Sequence, residues 1–434
     1  MSAPARPRHS TVEDGVLHVR TVRVTDPVDL AAHVPADASA VWLRHGQGMI
    51  ARGEAWSVST AGADRFAQAS AAFRELAACA VVRDEVGRRT SGLVALGTFS
   101  YADSSQRPST MLVPQAVLGV EAGEAFLTVT AVGAEPELPE HWQDLFPATA
   151  QPDSLQITVE ADHTPLEYQK LVADAVAAVA AGEAEKVVLS ERSTVTAETA
   201  IQPSVLAARL SRLYPSCWVY RIGDVVGASP EMLAQTEDAR VDSRVLAGTR
   251  PVADGGQLED ADRAAFHRDP KERSEHAFAV DSVVQRLAGV AERIEASAEP
   301  YVLHLPGLEH LASDVSAVLR PGVTSLDVAA RLHPSAAVSG TPREQADAII
   351  ARLEPHDRGG YASPVGWMNA AGDGQWAIAL RMAHLVDEHT VRLQAGGGLV
   401  AASDPVSEHA EVLAKTRPML RALRGEDPEH LHGA

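Results

Sequence analysis

The stretch QAGGGLVAASDPVSEHAEVLAK, residues 394–415, decides how we interpret the fold of this chain. It predicts the end of a strand, then a glycine turn at residues 396–398, then a helix that begins at Pro405. Residues three and four apart lie on one face of a helix, so two acids and one lysine share a stripe. The members of this stripe are Glu408, Glu411 and Lys415.

A second segment repeats this pattern. The sequence DPKERSEH, residues 269–276, begins a helix with proline and then places Glu272 and Glu275 at the same spacing. Two such helices can bring four carboxylates together, and carboxylate oxygens are the ligands that Mg²⁺ prefers. For either pair alone, a solvated helix face is the simpler interpretation, because exposed glutamate is ordinary. The glycines at 396–398 favour a site, because glycine lets a ligand approach the bare backbone.

The composition is that of an ordinary globular protein. Of the 434 residues, 45% are hydrophobic and 22% are charged, and the length predicts two domains or one large layered domain. The net charge of -20 argues against nucleic acid or an anionic membrane as the main partner. An anionic substrate would therefore need local positive charge. Two cysteines, Cys79 and Cys217, make neither a disulfide framework nor a zinc site and fit a reducing cytosol.

The N-terminus and the hydropathy pattern bear on location. The N-terminal residues MSAPARPRHS lack the apolar core of a signal peptide, and no apolar run approaches transmembrane length. We therefore expect a soluble, cytoplasmic protein with no membrane partner. Nothing in the sequence indicates an interface, so we expect a monomer.

The chain divides into two parts and a tail. Residues 1–155 predict mostly strands and turns with one helix, carry no catalytic cluster, and end in a linker rich in Pro, Glu and Asp. Residues 156–425 mix strands and helices, and residues 426–434 form a tail. The elements do not follow the regular strand–helix–strand order of a doubly wound sheet, so we predict an α+β fold. Neither a Walker loop nor a dinucleotide fingerprint occurs.

Short strings in the second part occur in a familiar order. They are KVVLS at 186–190, ASPE at 228–231, LAGTRP at 246–251, ERSEH at 272–276, EHLAS at 309–313, LHPSAAV at 332–338, RGGYASPVGW at 358–367 and the opening stretch. Together they resemble the chorismate-utilising enzymes, the group that contains isochorismate, salicylate, anthranilate and aminodeoxychorismate synthases. The resemblance implies a β-sandwich core of two large sheets wrapped by helices. It also implies an active site inside that core, with chorismate as substrate and Mg²⁺ as cofactor.

The resemblance implies roles for a lysine and an acid. Glu231 matches the general acid that protonates the C4 hydroxyl, and burial could raise its pKa as that role needs. Lys186 matches the residue that activates water for attack at C2, whereas anthranilate synthases typically carry Gln there. Aminodeoxychorismate synthases carry Lys where this chain has Ala247. The combination of Lys186 with Ala247 therefore predicts an isomerase that forms isochorismate.

The resemblance also implies how metal and substrate are held. Glu275 and Glu411 match residues that bridge Mg²⁺ to the ring carboxylate, and Glu272 and Glu408 match its water-mediated or outer ligands. Other matches concern the substrate: Arg381 and Tyr361 for the enolpyruvyl carboxylate, Lys415 facing carboxylate and metal, and His310 near the ring or the departing oxygen. Backbone or hydroxyl donors are expected from Gly248, Thr249, Gly396 and Gly398.

Other interpretations remain open from sequence. A salicylate synthase would add pyruvate elimination to the same first step, and a catalytically inactive binding module could keep the fold. The chain departs from the family pattern at Gly397, where alanine is usual, and at Ser363 and Val245. These are small changes beside unaltered acids, so we expect altered binding at most. The sequence does not decide between menaquinone and siderophore biosynthesis.

Overall fold

A computed structural model describes residues 8–9, 15–148, 154–252, 258–305 and 308–426. Eight α-helices lie within these ranges. They are α1 (Arg65–Cys79), α2 (Pro165–Ala180), α3 (Pro203–Leu213), α4 (Asp260–Arg268), α5 (Pro270–Ala288), α6 (Ser325–Leu332), α7 (Arg343–Leu353) and α8 (Pro405–Arg424). No described helix combines the length and apolar character needed to cross a membrane.

Strands occur on both sides of residue 155. Those before it are β1 (Arg8–His9), β2 (Leu17–Val24), β3 (Ala38–Arg44), β4 (Gln47–Arg52), β5 (Trp56–Thr60), β6 (Val81–Asp84), β7 (Val94–Thr98), β8 (Ser109–Val113), β9 (Ala116–Glu121) and β10 (Glu124–Val132). Those after it begin with β11 (Ile157–Ala161), β12 (Lys186–Ala197), β13 (Trp218–Ile222), β14 (Val225–Ser229), β15 (Met232–Glu237), β16 (Arg240–Pro251) and β17 (Ala291–Ala296). The remaining strands are β18 (Tyr301–Leu305), β19 (Leu308–Leu319), β20 (Gly340–Thr341), β21 (Pro364–Asn369), β22 (Gly374–Ile378), β23 (Met382–Leu385) and β24 (Thr390–Leu399).

The described strands form two large sheets. The first has the order β1-β5-β8-β7-β21-β22-β15-β16-β19-β17, with β18 also beside β19. The second has the order β11-β12-β24-β23-β14-β13-β3-β4-β9-β10-β2-β6, with β20 also beside β12. Strand β7 pairs with β21 and β3 pairs with β13, so both sheets mix strands from the two sides of residue 155. The division at 155 stays a prediction.

The main core lies between the two sheets. Buried side chains of the second sheet, such as Trp42 and Tyr220, belong to one cluster with Leu96, Trp367 and Trp376 of the first. Such a cluster is what sheet-on-sheet packing produces. Helices cover the outer faces, α5 against β16 and β19 and α8 against β24. The α+β fold with a sandwich core is therefore confirmed.

Local sequence signals explain the ends of the helices nearest the site. Thr164 and Glu167 form a reciprocal capping box at the start of α2, as the string TPLE predicts. Asp404 accepts a hydrogen bond from the backbone N–H of Ser407 at the start of α8. Gly425 ends α8 with a left-handed φ of 67°.

The prediction of a glycine turn at 396–398 is wrong. These glycines continue strand β24 and pair with β12, Gly396 opposite Ser190 and Gly398 opposite Val188. They are needed for close approach instead, since a Cβ on Gly398 would lie 2.7 Å from Cε of Lys186. Strand β16 also contains a bulge at Gly248, which has a φ of 76°.

Candidate active site

One cavity of about 400 Å³ lies between the first sheet, the start of β12 and helix α5. Its apolar side includes Phe278 and Leu332. The polar or small residues on its wall include Lys186, Glu231, Ala247, Gly248, Ser274 and Ser335. The lysine and the acid that the resemblance assigns to catalysis therefore line the same cavity.

Lys186 enters the site from the first position of β12. Its backbone is paired with Thr341 of β20 on one side. The stem of its side chain crosses Gly398, since a Cβ there would lie 2.7 Å from Cε and 3.4 Å from Nζ of Lys186. Glycine at position 398 thus makes room for the lysine.

Glu231 follows strand β14, and its backbone is fixed to β22. The carbonyl of Glu231 accepts a hydrogen bond of 3.0 Å from the N–H of Ile378. The hydroxyl of Ser229 donates to the carbonyl of Ile378 at 2.6 Å. These bonds hold the acid at a defined point beside the cavity.

Burial and the nearby positive charges have opposite effects on the pKa of Glu231. Burial raises the pKa of the Glu231 carboxyl, whereas nearby Lys186, Arg381 and Lys415 lower it, and burial has the larger effect. The carboxyl therefore keeps its proton to a higher pH than an ordinary glutamate, which suits a general acid. Arg381 and Lys415 supply the local positive charge that an anionic substrate needs.

Tyr361 lies against strand β24, and Arg381 directly precedes strand β23. The Tyr361 side chain is 4% exposed, and burial raises the pKa of its hydroxyl to about 12. That hydroxyl lies 3.1 Å from where a Cβ of Gly396 would be. Arg381 has a φ of 50°, a costly value for a residue with a side chain.

Lys415 reaches back from α8 to strand β24. Its Nζ donates to the carbonyl of Gly396 at 2.8 Å and lies 2.6 Å from Oε1 of Glu411. The N–H and C=O of one strand residue point to the same edge, so the Gly396 N–H also faces this edge. Pairing with β23 stops at Gln394. Strand β24 therefore offers backbone donors beside Lys415.

The acids predicted to bind metal lie on α5 and α8. Oε2 of Glu272 would lie 3.0 Å from a Cβ on Gly248. Ser403 donates a hydrogen bond of 2.6 Å to Glu408, whose pKa burial nevertheless raises. The donor chemistry of these carboxylates fits Mg²⁺. Within the described part of the chain, however, no three His, Cys, Asp or Glu side chains come together as a metal site.

For three of the predicted site residues the structure describes only the backbone. The side chains of Glu275, Thr249 and His310 lie outside the described part of the structure. Their backbones are in α5, β16 and β19 respectively, and Thr249 pairs with His310. These assignments therefore stay predictions.

Sequence reasoning missed a buried arginine beneath the site. Arg358 is 5% exposed and donates to the carbonyls of Val188 and Val338, each at 2.7 Å. It also donates to both carboxylate oxygens of Glu354, which in turn accepts from the backbone N–H of Ser190. This network braces strand β12, which carries Lys186. The i,i+4 spacing of Glu354 and Arg358 is the signal that could have revealed it.

The fold and the site define an α+β enzyme in whose cavity a half-buried acid lies near lysine and arginine side chains. The chain belongs to the chorismate-binding enzymes: residues 9–424 match the family described as chorismate binding enzyme. The resemblance drawn from the short strings is therefore confirmed.

Individual relatives show the range of this family. Isochorismate synthase DhbC of Bacillus subtilis (strain 168) is 35% identical over 272 residues, covering 60% of this chain and 68% of that protein. Anthranilate synthase component 1 of Streptomyces coelicolor is 38% identical over 277 residues, covering 61% of this chain and 52% of that protein. The structure of MenF, the menaquinone-specific isochorismate synthase from Escherichia coli, has a TM-score of 0.73 at 23% identity. It covers 98% of this chain and 96% of its own, and supports the fold alone.

Proposed function

We propose that this enzyme converts chorismate into isochorismate, an isomerisation in which water attacks C2 and the C4 hydroxyl leaves. The observation that carries the proposal is the shared cavity of Lys186 and Glu231. Such a displacement needs a base to deprotonate the attacking water and an acid to protonate the leaving hydroxyl, and both groups must line the same cavity. The similarity to isochorismate synthase DhbC supports the same reaction.

The two residues take opposite parts in the proton transfers. Glu231 keeps its proton to a higher pH than an ordinary glutamate because burial raises its pKa, and it donates that proton to the departing C4 oxygen. Lys186 accepts a proton from the water that attacks C2, which requires its uncharged amine. Ala247 lines the same cavity and provides no nucleophile of its own, so it leaves room for that water.

The cations and the open strand edge hold the substrate. The guanidinium of Arg381 is a planar donor that fits a carboxylate with two parallel hydrogen bonds. Lys415 and the N–H of Gly396 offer further donors at the edge of β24. Tyr361, Gly398, Gly248, Thr249 and His310 complete the proposed substrate contacts. Together they offset the repulsion between a dianion and a protein of net charge -20.

We further propose that Glu272, Glu275, Glu408 and Glu411 hold Mg²⁺. When bound, the ion supplies Lewis-acid charge that neutralises the ring carboxylate of the substrate. The carboxylates of α5 and α8 are its natural donors because Mg²⁺ prefers oxygen ligands.

Product analysis tests the proposed reaction. Purified protein is incubated with chorismate and Mg²⁺, and the products are separated by HPLC. We expect isochorismate, its formation to stop with EDTA, and its return with added Mg²⁺. Salicylate as the final product would replace the proposal by a salicylate synthase, and anthranilate in the presence of ammonia would replace it by the activity of the S. coelicolor relative. Absence of turnover would leave a binding module.

A further inference from the structure

A buried carboxylate lies behind the candidate site, between strand β12 and helices α2 and α8. Glu191 is 3% exposed, and neither of its carboxylate oxygens accepts a hydrogen bond among the described residues. Nε2 of His409, on α8, is 3.3 Å from Oε2 of Glu191. His409 is itself 7% exposed, and its ring lies against Tyr168 of α2 with centroids 5.3 Å apart.

Burial makes this contact important to both partners. A buried polar group without a partner is costly, and removing one member of a buried pair leaves the other alone. Nε2 of His409 is therefore the polar atom that Glu191 meets at 3.3 Å inside the protein.

The contact occurs in the first half of helix α8, where few side chains are buried. The buried residues of α8 are His409 and Val412 near its start and Met419, Ala422 and Leu423 near its end. Arg209 also donates to the carbonyl of Ala422 at 3.0 Å and strengthens the far end. In the half of the helix that carries the site residues, the buried side chains are therefore those of His409 and Val412.

The same half of α8 fits closely on strand β24. A Cβ on Gly397 would lie 3.2 Å from Oε2 of Glu408 and 3.7 Å from Val412. A small shift of the helix would move Glu408, Glu411 and Lys415 together relative to Gly396.

We infer that Glu191 and His409 form a positioning pair, which fixes the first half of α8 on strand β12 and so sets the places of Glu411 and Lys415. This role rests on the proposed function, because it concerns how that site holds Mg²⁺ and chorismate. Neither residue of the pair touches the cavity, so both act through α8.

A double-mutant cycle tests the pair with two readouts. Glu191→Ala, His409→Ala and the double variant are compared for the Mg²⁺ concentration at half-maximal turnover, and for chorismate affinity by calorimetry in Mg²⁺. We expect about a tenfold loss in each readout for either single variant, as for residues that orient metal ligands. The double variant should lose the same factor, because members of one pair are not additive. Losses that multiply to about a hundredfold, or wild-type values in the single variants, would overturn the inference.

Two further variants separate positioning from general destabilisation. Glu191→Gln keeps the shape of the side chain, and its amide can donate to Nε2, so both readouts should stay within about twofold of wild type. His409→Phe keeps a ring but removes Nε2, so each readout should worsen about tenfold. Arg209→Ala removes an anchor from the far end of α8 and serves as the matched control. It should lower Tm and leave the Mg²⁺ requirement unchanged. A raised Mg²⁺ requirement in Arg209→Ala, or a wild-type Mg²⁺ requirement in His409→Phe, would contradict the positioning role of the pair. Failure of the proposed function itself would show in the wild-type products instead.

Discussion

Glu231 links catalysis to pH at the scale of a single residue. Its pKa is raised in the folded protein by burial, so activity that needs its proton should fall as pH rises through that raised value. Glu231→Gln cannot donate a proton and should lower kcat about a hundredfold or more. The pH–rate profiles of the two proteins, measured with saturating Mg²⁺, check this. A wild-type kcat in Glu231→Gln would remove it as the acid.

The same shift gives Glu231 an effect on stability with a defined sign. An acid whose folded pKa lies above its unfolded value binds more protons when folded, so stability is lost as pH rises between the two values. Glu231→Gln should therefore have a higher Tm than wild type at pH 8 and no advantage at pH 4. Thermal unfolding at both pH values measures the difference. An unchanged Tm at pH 8 would show that the acid is well solvated.

The role of Lys186 gives a separate prediction, because removing the base need not weaken substrate binding. Lys186→Ala should lower kcat about a hundredfold or more while Mg²⁺-dependent chorismate binding stays within a few-fold of wild type. Calorimetry and initial rates give the two numbers. Lys170 pairs with Asp174 on the exposed face of α2, so Lys170→Ala is the control and should change neither. Retained turnover in Lys186→Ala would refute the base assignment.

Strand β24 shows what glycine does at the scale of an element. Gly398→Ala would place a Cβ 2.7 Å from Cε of Lys186, whereas Gly397→Ala faces α8 and meets Glu408 at 3.2 Å. We expect Gly398→Ala to lower kcat about tenfold and to cost about 1–3 kcal/mol of overpacking. Gly397→Ala should instead raise the Mg²⁺ requirement with little change in kcat. Rates as a function of Mg²⁺ distinguish the two, and equal effects on kcat would argue against this geometry.

The next prediction concerns Mg²⁺ binding by helix α8. Glu411→Gln should weaken Mg²⁺ and chorismate binding together, because each needs the charge of the other in the proposed site. It should also release Lys415, which now pairs with Glu411 at 2.6 Å. Calorimetric titration of each ligand in the presence of the other measures the coupling. A fall in kcat alone, with both affinities kept, would mean that Glu411 is not a metal ligand.

How well an element could be predicted depended on whether its signal is local. Helices α2 and α8 begin where Thr164 and Pro405 predict, because caps and proline act within one turn. The glycines of β24 were misassigned to a turn. A turn and a close contact both select glycine, and only the neighbouring side chain of Lys186 distinguishes them.

At the scale of the whole molecule, long-range pairing decides what the sequence can reveal. Periodicity predicted strands in both parts of the chain, and family resemblance supplied the sandwich. The pairing of β7 with β21 joins residues more than two hundred positions apart and leaves no mark in either strand alone. The buried contact of Glu191 with His409 was missed for the same reason.

These pairings predict that the two parts of the chain fold as one unit. Residues 156–425 expressed alone would lose β3 and β7, leaving β13 and β21 as open edges and uncovering Trp376, which now packs edge-on against Phe99. Exposed apolar edges aggregate, so we expect this fragment to be insoluble or to unfold without a cooperative transition. Co-expression of residues 1–155 as a separate chain should restore soluble protein, because it returns both edge partners. Circular dichroism and chorismate binding of the isolated fragment test this directly. A fragment that melts cooperatively and binds chorismate would show that the catalytic part folds independently.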